Sequence, residues 1–317
     1  MERKKVSVVV PCLNHLEYTK ETLDALEDNT PTDKYDLELV IVDDGSDDET
    51  PDYFSVESSR GRFENFLYLR NENNLGFAPA VNRGILESNH HADYISIFNN
   101  DVLVGPDWLT PLCEVLDWKE EIGMVNCTIH HTKNDFLAAG ENIDPIDTRV
   151  HIWEKNGPWV FKKEVFDDIG IFDEQFTPAY YEDDDIMVRM CLTGWVFGRV
   201  ENSISYHYLG ITRNGELLKR NGEGYYNDNF LRFCKKWGLR DDSRFAIVYD
   251  QTFQEKKIKY VQIPTSLLND RLGVVEISLE GKETLEADGH SPGFKTIKKS
   301  SVLRGGGLLS QQSSGGA

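Results

Sequence analysis

The chain has 317 residues and carries 34 Lys and Arg against 54 Asp and Glu, a formal charge of −20. That length suits one large or two modest domains with a real core, and 39% hydrophobic with 28% charged residues exclude a disordered or membrane-embedded chain. The acid excess argues against a nucleic-acid or anionic-membrane binder, because phosphate-rich surfaces recruit Lys and Arg; a small phosphorylated ligand stays open, since a divalent cation can stand between two anions.

In chain order, Val6–Val10 reads as a first strand and Leu16–Leu26 as a helix with Leu16, Thr19, Leu23 and Leu26 near one face. Leu37–Val42 and Phe66–Leu69 follow as strands. Phe77–Leu86 is a helix after Gly76, with Ala78, Val81 and Ile85 at helical spacing, and Tyr94–Phe98 is a fourth strand. None of the four apolar runs alternates, as expected of strands covered on both faces by helices. Strands alternating with helices imply βαβ units and a right-handed, doubly wound, mostly parallel sheet. Beyond residue 102 helical pieces are expected near Trp108–Leu116, Lys162–Ile169 and Asp184–Leu192, with strands around Gly123–Thr128 and Val196–Val200. This half should extend the sheet and wall a crevice.

From residue 241 onward there are 10 acidic and 10 basic residues, so the whole −20 lies in residues 1–240, with 44 acidic and 24 basic. Lys257–Ile263 and Leu272–Leu279 suggest that 241–303 is a small β-rich appendage or a partner-docking arm. Residues 305–317 are uncharged and rich in Gly, Ser and Gln, so 304–317 reads as a flexible tail. No internal repeat is visible.

The five cysteines, Cys12, Cys113, Cys127, Cys191 and Cys234, form no C-x-x-C pair. A reducing, cytoplasmic setting is expected rather than a disulfide framework or zinc site. Glu2-Arg3-Lys4-Lys5 before Val6–Cys12 mimics a signal peptide, but the apolar run is brief and lacks a small-residue cleavage site. No run of about 18 apolar residues is present to span a bilayer.

The residues at the carboxyl end of each strand carry the chemistry. The first strand ends in Pro11-Cys12-Leu13-Asn14, the second in Asp43-Asp44-Gly45-Ser46, the third in Asn71–Gly76 and the fourth in Asn99-Asn100-Asp101. Ligands of open α/β sheets bind outside the carboxyl ends of the strands, and turn chemistry alone would supply one or two such endings. No G-x-x-x-x-G-K-[ST] or G-x-G-x-x-G follows a strand, which demotes P-loop and dinucleotide readings.

Asp43-Asp44, alone, is an Asx-turn capping the next segment; at a strand end it can accept hydrogen bonds from a base-ring N–H or ribose hydroxyls. Asp101, alone, belongs to a turn rich in Asn and Asp, yet an acid there suits Mg2+ or Mn2+ with diphosphate oxygens. Glu182-Asp183-Asp184-Asp185 opens a helix, where the macrodipole favours acids; four adjacent carboxylates exceed that need, and one surplus acid can serve as a base. Tyr180, Tyr181, Phe172 and Phe176 would wall it. His207 in a strand-like stretch is by itself a structural histidine, but imidazole can complete a Mn2+ site beside a carboxylate. The pairs His90-His91 and His130-His131 read as surface.

Together these residues resemble glycosyltransferase family 2, of GT-A fold. Val6–Pro11 with Asn14 and Val40–Ser46 resemble its opening. Asn73–Ala78 with Asn82 and Gly84, and Phe98–Asp101, are similar to its rhamnosyltransferase-like and galactofuranosyltransferase-like branch. Gly170–Glu174, Tyr180–Asp185 with Arg189, and Phe230–Gly238 match its acceptor-side motifs. The resemblance covers roughly residues 5–240 in order. It implies a GT-A domain over 1–240, with a nucleotide-binding half at 1–101 and an acceptor-side half at 102–240. It implies donor binding by Pro11, Asn14, Asp43, Asp44, Asn74, Gly76, Asn82, Asn99 and Asn100, and metal ligation by Asp101 and His207. Asp183 would be the general base, with Glu182 beside it. Asn99 departs from the pattern by replacing the first acid of the D-x-D element, so metal binding leans on Asp101, His207 and donor phosphates.

The implied activity is metal-dependent, inverting transfer of a hexosyl or deoxyhexosyl group from a nucleotide-sugar to a hydroxyl of a glycan or glycoconjugate, as in polysaccharide biosynthesis. The cofactor would be Mn2+ or Mg2+. The setting would be cytoplasmic, free or held at a membrane periphery through the acceptor or a partner. Rival readings are an inactive glycan- or nucleotide-sugar-binding protein on the same fold, a sugar nucleotidyltransferase, and sugar transfer onto nucleic-acid bases, which the acidity opposes. A crevice holding Asp43, Asp44, Asp101 and Glu182–Asp185 would repel a diphosphate, so the opening charge predicts a bound divalent cation.

Overall fold

The chain enters the sheet at β1 (Lys4–Cys12), buried from Val6 onward. Asn14 and His15, at φ 56 and 58, turn it into α1 (Leu16–Asn29), whose buried Leu16, Thr19, Thr22, Leu23 and Leu26 form one face. Thr30 N–H closes α1 on the Leu26 carbonyl just before Pro31, which cannot continue the ladder. β2 (Tyr35–Asp43), α2 (Thr50–Glu57), β3 (Asn65–Arg70), α3 (Phe77–Glu87) and β4 (Tyr94–Ile97) complete the first half. β3-β2-β1-β4 are parallel throughout, as the βαβ alternation predicts. β3 is only half-buried, because it is the edge strand; coverage on both faces holds for β1 and β4.

This computed structural model describes residues 3–57, 63–143, 149–152, 157–208, 211, 224–237, 276–278 and 283–284. Its second half holds β5 (Val102–Val104), α4 (Leu109–Trp118), β6 (Ile122–His130), α5 (Lys133–Gly140), β7 (Arg149–Ile152), β8 (Trp159–Lys162), α6 (Lys163–Ile169), α7 (Glu182–Thr193), β9 (Val196–His207) and α8 (Tyr225–Trp237). Among the described residues the sheet runs β11-β10-β7-β9-β6-β8-β4-β1-β2-β3, with β5 on β9, where β10 is Glu276–Ser278 and β11 is Glu283–Thr284. β8 inserts antiparallel between β4 and β6, while β6 and β9 pair in parallel. The result is an α/β fold with a mixed, mostly parallel sheet flanked by helices.

One core packs Leu23, Leu26, Phe54, Trp108 and Leu112 on one face of the sheet. The other packs Val9, Val42, Val81, Phe161, Met187 and Phe233 on the opposite face. α3 lies so close to the strands that a Cβ on Gly84 would sit 2.3 Å from Val9 Cγ1, so glycine there sets the helix-to-sheet distance. The strand-like residues around His207 are the continuation of the strand at Val196–Val200, joined across a register shift opposite Cys127 and Thr128. All five cysteines are buried and none forms a disulfide. No helix among the described residues is long and apolar enough to cross a membrane. Lys257–Ile263, residues 304–317 and most of 241–303 lie outside the described residues; the Leu272–Leu279 run is described at β10, which pairs antiparallel with β7.

Candidate functional site

The two carboxylates of the second strand end have separate tasks. Asp43, fully buried, accepts from Ser46 N–H and Tyr68 O–H, both at 2.8 Å, with Arg70 Nε at 3.7 Å. Asp44 turns the other way. Its Oδ1 accepts from Asn71 Nδ2 at 2.7 Å and Leu75 N–H at 3.0 Å, and its Oδ2 from Gly76 N–H at 2.8 Å. Burial pushes the Asp44 carboxyl above its ordinary range, and these three donors oppose that rise. Asn14 locks the first strand end to the second: its N–H donates to Ser46 Oγ and its Oδ1 accepts from Asp47 N–H, each at 2.8 Å.

The Asn71–Gly76 loop is tied in turn to the segment over residues 172–178. Phe77 N–H donates to the Pro178 carbonyl at 2.8 Å and Thr177 Oγ1 to the Leu75 carbonyl at 2.9 Å. Asn82 on α3 brackets Phe172, donating to its carbonyl at 2.8 Å and accepting from its N–H at 2.9 Å.

At the fourth strand end Asn100 donates to Thr19 Oγ1 at 2.9 Å, and Asp101 is 5% exposed. β5 begins at the next residue, Val102, and its register with β9 sets it opposite His207. His207 Nε2 therefore lies 2.8 Å from Asp101 Oδ1, with Asn99 Nδ2 3.2 Å from the same nitrogen. The two side chains are in hydrogen-bond contact with each other, and carboxylate and imidazole are both donor types that a divalent cation of the Mn2+ type accepts. The described residues bring these two side chains together, and hold no group of three His, Cys, Asp or Glu side chains that could bind a metal ion.

α7 begins beneath Tyr180 and Tyr181, both at positive φ. Its four leading acids part company. Asp185 is fully buried in an ion network with Arg189 Nε at 2.9 Å, Lys236 Nζ at 2.6 Å and Trp237 Nε1 at 3.0 Å. Glu182 and Asp183 face the crevice instead. Of the aromatic wall expected there, only Tyr180 lines the cavity, beside Trp159; Tyr181 packs against Phe230 and Phe233, Phe172 stacks on Trp159 at 6.3 Å, and Phe176 is fully buried against Phe233.

A cavity of about 410 Å3 collects these groups. Pro11, Asp44, Asn74, Gly76, Asn99, Asn100, Asp101, Glu182, Asp183 and His207 line it; Asn14, Asp43 and Asn82 do not, because their polar atoms brace the strand-end loops and Phe172. Sequence reasoning missed Gly157-Pro158-Trp159, which β8 brings to the cavity, and the signal available was a lone Trp after Gly-Pro. It placed Asn71 only in a strand-end loop and Thr19 only on a helix face, whereas their side chains hold Asp44 and Asn100. His90, His91 and His131 are exposed or nearly so, and His130 is half-buried in β6.

The family model described as Glycosyl transferase family 2 matches residues 7–185. The putative glycosyltransferase EpsH of Bacillus subtilis (strain 168) is 27% identical over 144 residues, 45% of this chain and 38% of that protein. The chain covers between 25% and 49% of the length of the curated relatives it matches. A mannosyltransferase of Pyrobaculum calidifontis, PcManGT, solved with GDP-Man and Mn2+, is similar at a TM-score of 0.54 and 20% identity, over 74% of this chain and 65% of that one. GalNAc-T7, solved with UDP, GalNAc and Mn2+, gives 0.59 at 14% identity, over 76% and 49%. At these identities the structural likeness shows the fold, which is GT-A-like.

Proposed function

Because the chain belongs to glycosyl transferase family 2, we propose that it moves a sugar from a nucleotide-sugar donor to a hydroxyl of a glycan or glycoconjugate, inverting the anomeric carbon. The observation that carries this reading is the meeting of Asp101–His207 with Asp183 in the cavity that Asp44, Asn74 and Gly76 also line.

The donor half is residues 1–101. There the Asp44 carboxylate and the loop it organises receive the base and ribose, while Pro11 and Asn100 shape the floor. Asp101 and His207 would hold Mn2+ or Mg2+; a bound cation supplies charge neutralisation for the diphosphate leaving group. The Mn2+ in PcManGT and GalNAc-T7 supports that expectation.

Residues 102–240 form the acceptor half. Asp183 takes the proton of the acceptor hydroxyl as its oxygen attacks the anomeric carbon from the face opposite the nucleotide. The bond to the diphosphate breaks, and the nucleoside diphosphate leaves with the electron pair. Glu182, 7% exposed beside it, keeps the pocket acidic. The Asn74–Gly76 loop on Asp44 and the Asn99-Asn100-Asp101 strand end favour the rhamnosyltransferase-like or galactofuranosyltransferase-like branch, and hence a hexosyl or deoxyhexosyl donor.

The test is a thermal-shift panel of nucleoside diphosphates and nucleotide-sugars with and without Mn2+, followed by product analysis. A donor at 100 times its Kd stabilises by about 2.7 kcal/mol. Release of nucleoside diphosphate on adding acceptor glycans supports transfer; formation of pyrophosphate when nucleoside triphosphates and sugar 1-phosphates are supplied instead overturns it in favour of nucleotidyl transfer, and binding with no release in favour of a binding protein.

A further inference from the structure

α8 lies beyond the residues that the family model matches, and none of the residues lining the cavity comes from it. It nevertheless grips the Asp183 segment on both sides. On the N-terminal side Asn229, fully buried, donates from Nδ2 to the carbonyls of Ala179 at 2.9 Å and Tyr180 at 3.2 Å. Its Oδ1 is braced by Arg232 Nη1 at 2.7 Å, and Arg232 also reaches the Gln175 carbonyl at 3.0 Å. On the C-terminal side Lys236 and Trp237 hold Asp185.

Between the two anchors the backbone is strained. Tyr180 and Tyr181 sit at φ 79 and 71, in the left-handed region that side-chain-bearing residues rarely adopt. Such conformations persist only where the surroundings over-determine them. Asn229 supplies that restraint directly, since a side-chain amide bonded to two successive carbonyls fixes both at once. Asp185 N–H bonds the Tyr181 carbonyl at 2.9 Å, so the angle at which α7 departs, and with it the place of Asp183, follows from this turn.

We propose that Asn229 is a positioning residue for Asp183, acting through the Ala179 and Tyr180 carbonyls. The proposal rests on the reading of Asp183 as the base. Losing the amide takes its donor from both carbonyls and lets the Tyr180–Tyr181 turn relax. A displacement of about 1 Å at a reacting group costs on the order of 10²-fold in rate.

The experiment compares Asn229→Ala, Asp183→Asn and the double variant. It uses the UDP- or GDP-sugar that turns over with Mn2+, and binding is read by thermal shift with the matching nucleoside diphosphate. The expected result is a kcat lower by about 10²-fold in Asn229→Ala with nucleotide binding retained, and a double variant no slower than Asp183→Asn. Wild-type kcat in Asn229→Ala, or a full further loss in the Asp183→Asn background, overturns the proposal. Should Asn229→Ala not fold, Arg232→Met at the helix surface carries the same comparison: a reduced kcat supports the restraint and a wild-type kcat refutes it. If Asp183→Asn turns over normally, the base reading fails and the proposal with it; an inactive Asp183→Asn beside a fully active Asn229→Ala removes the positioning role alone.

Discussion

His207 Nε2 and Asp101 Oδ1 stand 2.8 Å apart because β5 pairs with β9 so that Val102, the residue after Asp101, lies opposite His207. The fold thus delivers an imidazole to the acid of the fourth strand end, next to Asn99. On the proposed function, a cation held by only these two side chains would depend for its affinity on oxygens from the donor. Turnover should therefore vanish in excess chelator and return with Mn2+. Asp101→Ala should stay inactive at saturating Mn2+, while His207→Ala should recover in part as Mn2+ is raised. Nucleoside diphosphate release measures all three, and an unchanged rate in chelator would remove the metal from the scheme.

Gly76 is where the Asn71–Gly76 loop meets Thr177 and Pro178. At φ 103, a Cβ there would lie 2.5 Å from Thr177 Oγ1 and 3.0 Å from Pro178, while its N–H serves Asp44. Gly76→Ala combines strain with a steric clash, so a loss of about 1–3 kcal/mol is expected. The melting temperature reports it. The same displacement weakens the Asp44 contact and should raise KM for the donor more than it lowers kcat.

The first half of the sheet was legible because its signals are local. Apolar runs and helical spacing in β1–β4, α1 and α3 need no knowledge of partners. β8 was not, since its place between β4 and β6 is a non-local, antiparallel pairing that a four-residue strand does not announce. The strand-end rule marked the loops that meet at the cavity but could not say which way each side chain turns. Asp43 and Asp44 are adjacent, and Tyr68 and Arg70 on the neighbouring strand decide that Asp43 faces away from the cavity. Asn14 and Asn82 look like ligand contacts in the sequence, but their amides serve main-chain groups. In the acid run, Lys236 and Trp237, far along the chain, single out Asp185 as structural.

That sorting leaves Asp183 as a half-buried acid lining the cavity beside Glu182. Removing a positioned base costs about 10²–10⁴ in rate. Asp183→Asn keeps the size and the acceptor oxygen now bonded by Asp184 N–H at 2.8 Å. Its kcat should fall by that factor while the melting temperature and donor KM stay near wild type. Steady-state kinetics beside circular dichroism checks this, and wild-type turnover in a folded variant would sink the role.

Lys236 joins α8 to two acids, Asp173 and Asp185, each at 2.6 Å. Partial burial would raise the Asp173 carboxyl, but the Lys236 ammonium and the Gln175 donors outweigh it and hold the group below the ordinary aspartate range. A folded-state value below the unfolded one means that the unfolded chain binds the proton more tightly. Asp173 therefore contributes stability above its unfolded value, and that stability disappears as pH falls through the folded one. Lys236→Met removes the cation, so the variant should melt lower than wild type at pH 7. The gap should narrow once pH drops below about 4, the unfolded aspartate value. Melting curves from pH 7 to pH 3 decide the matter: a gap independent of pH would mean that Lys236 acts through its packing over the Phe176 and Trp237 rings rather than through its charge.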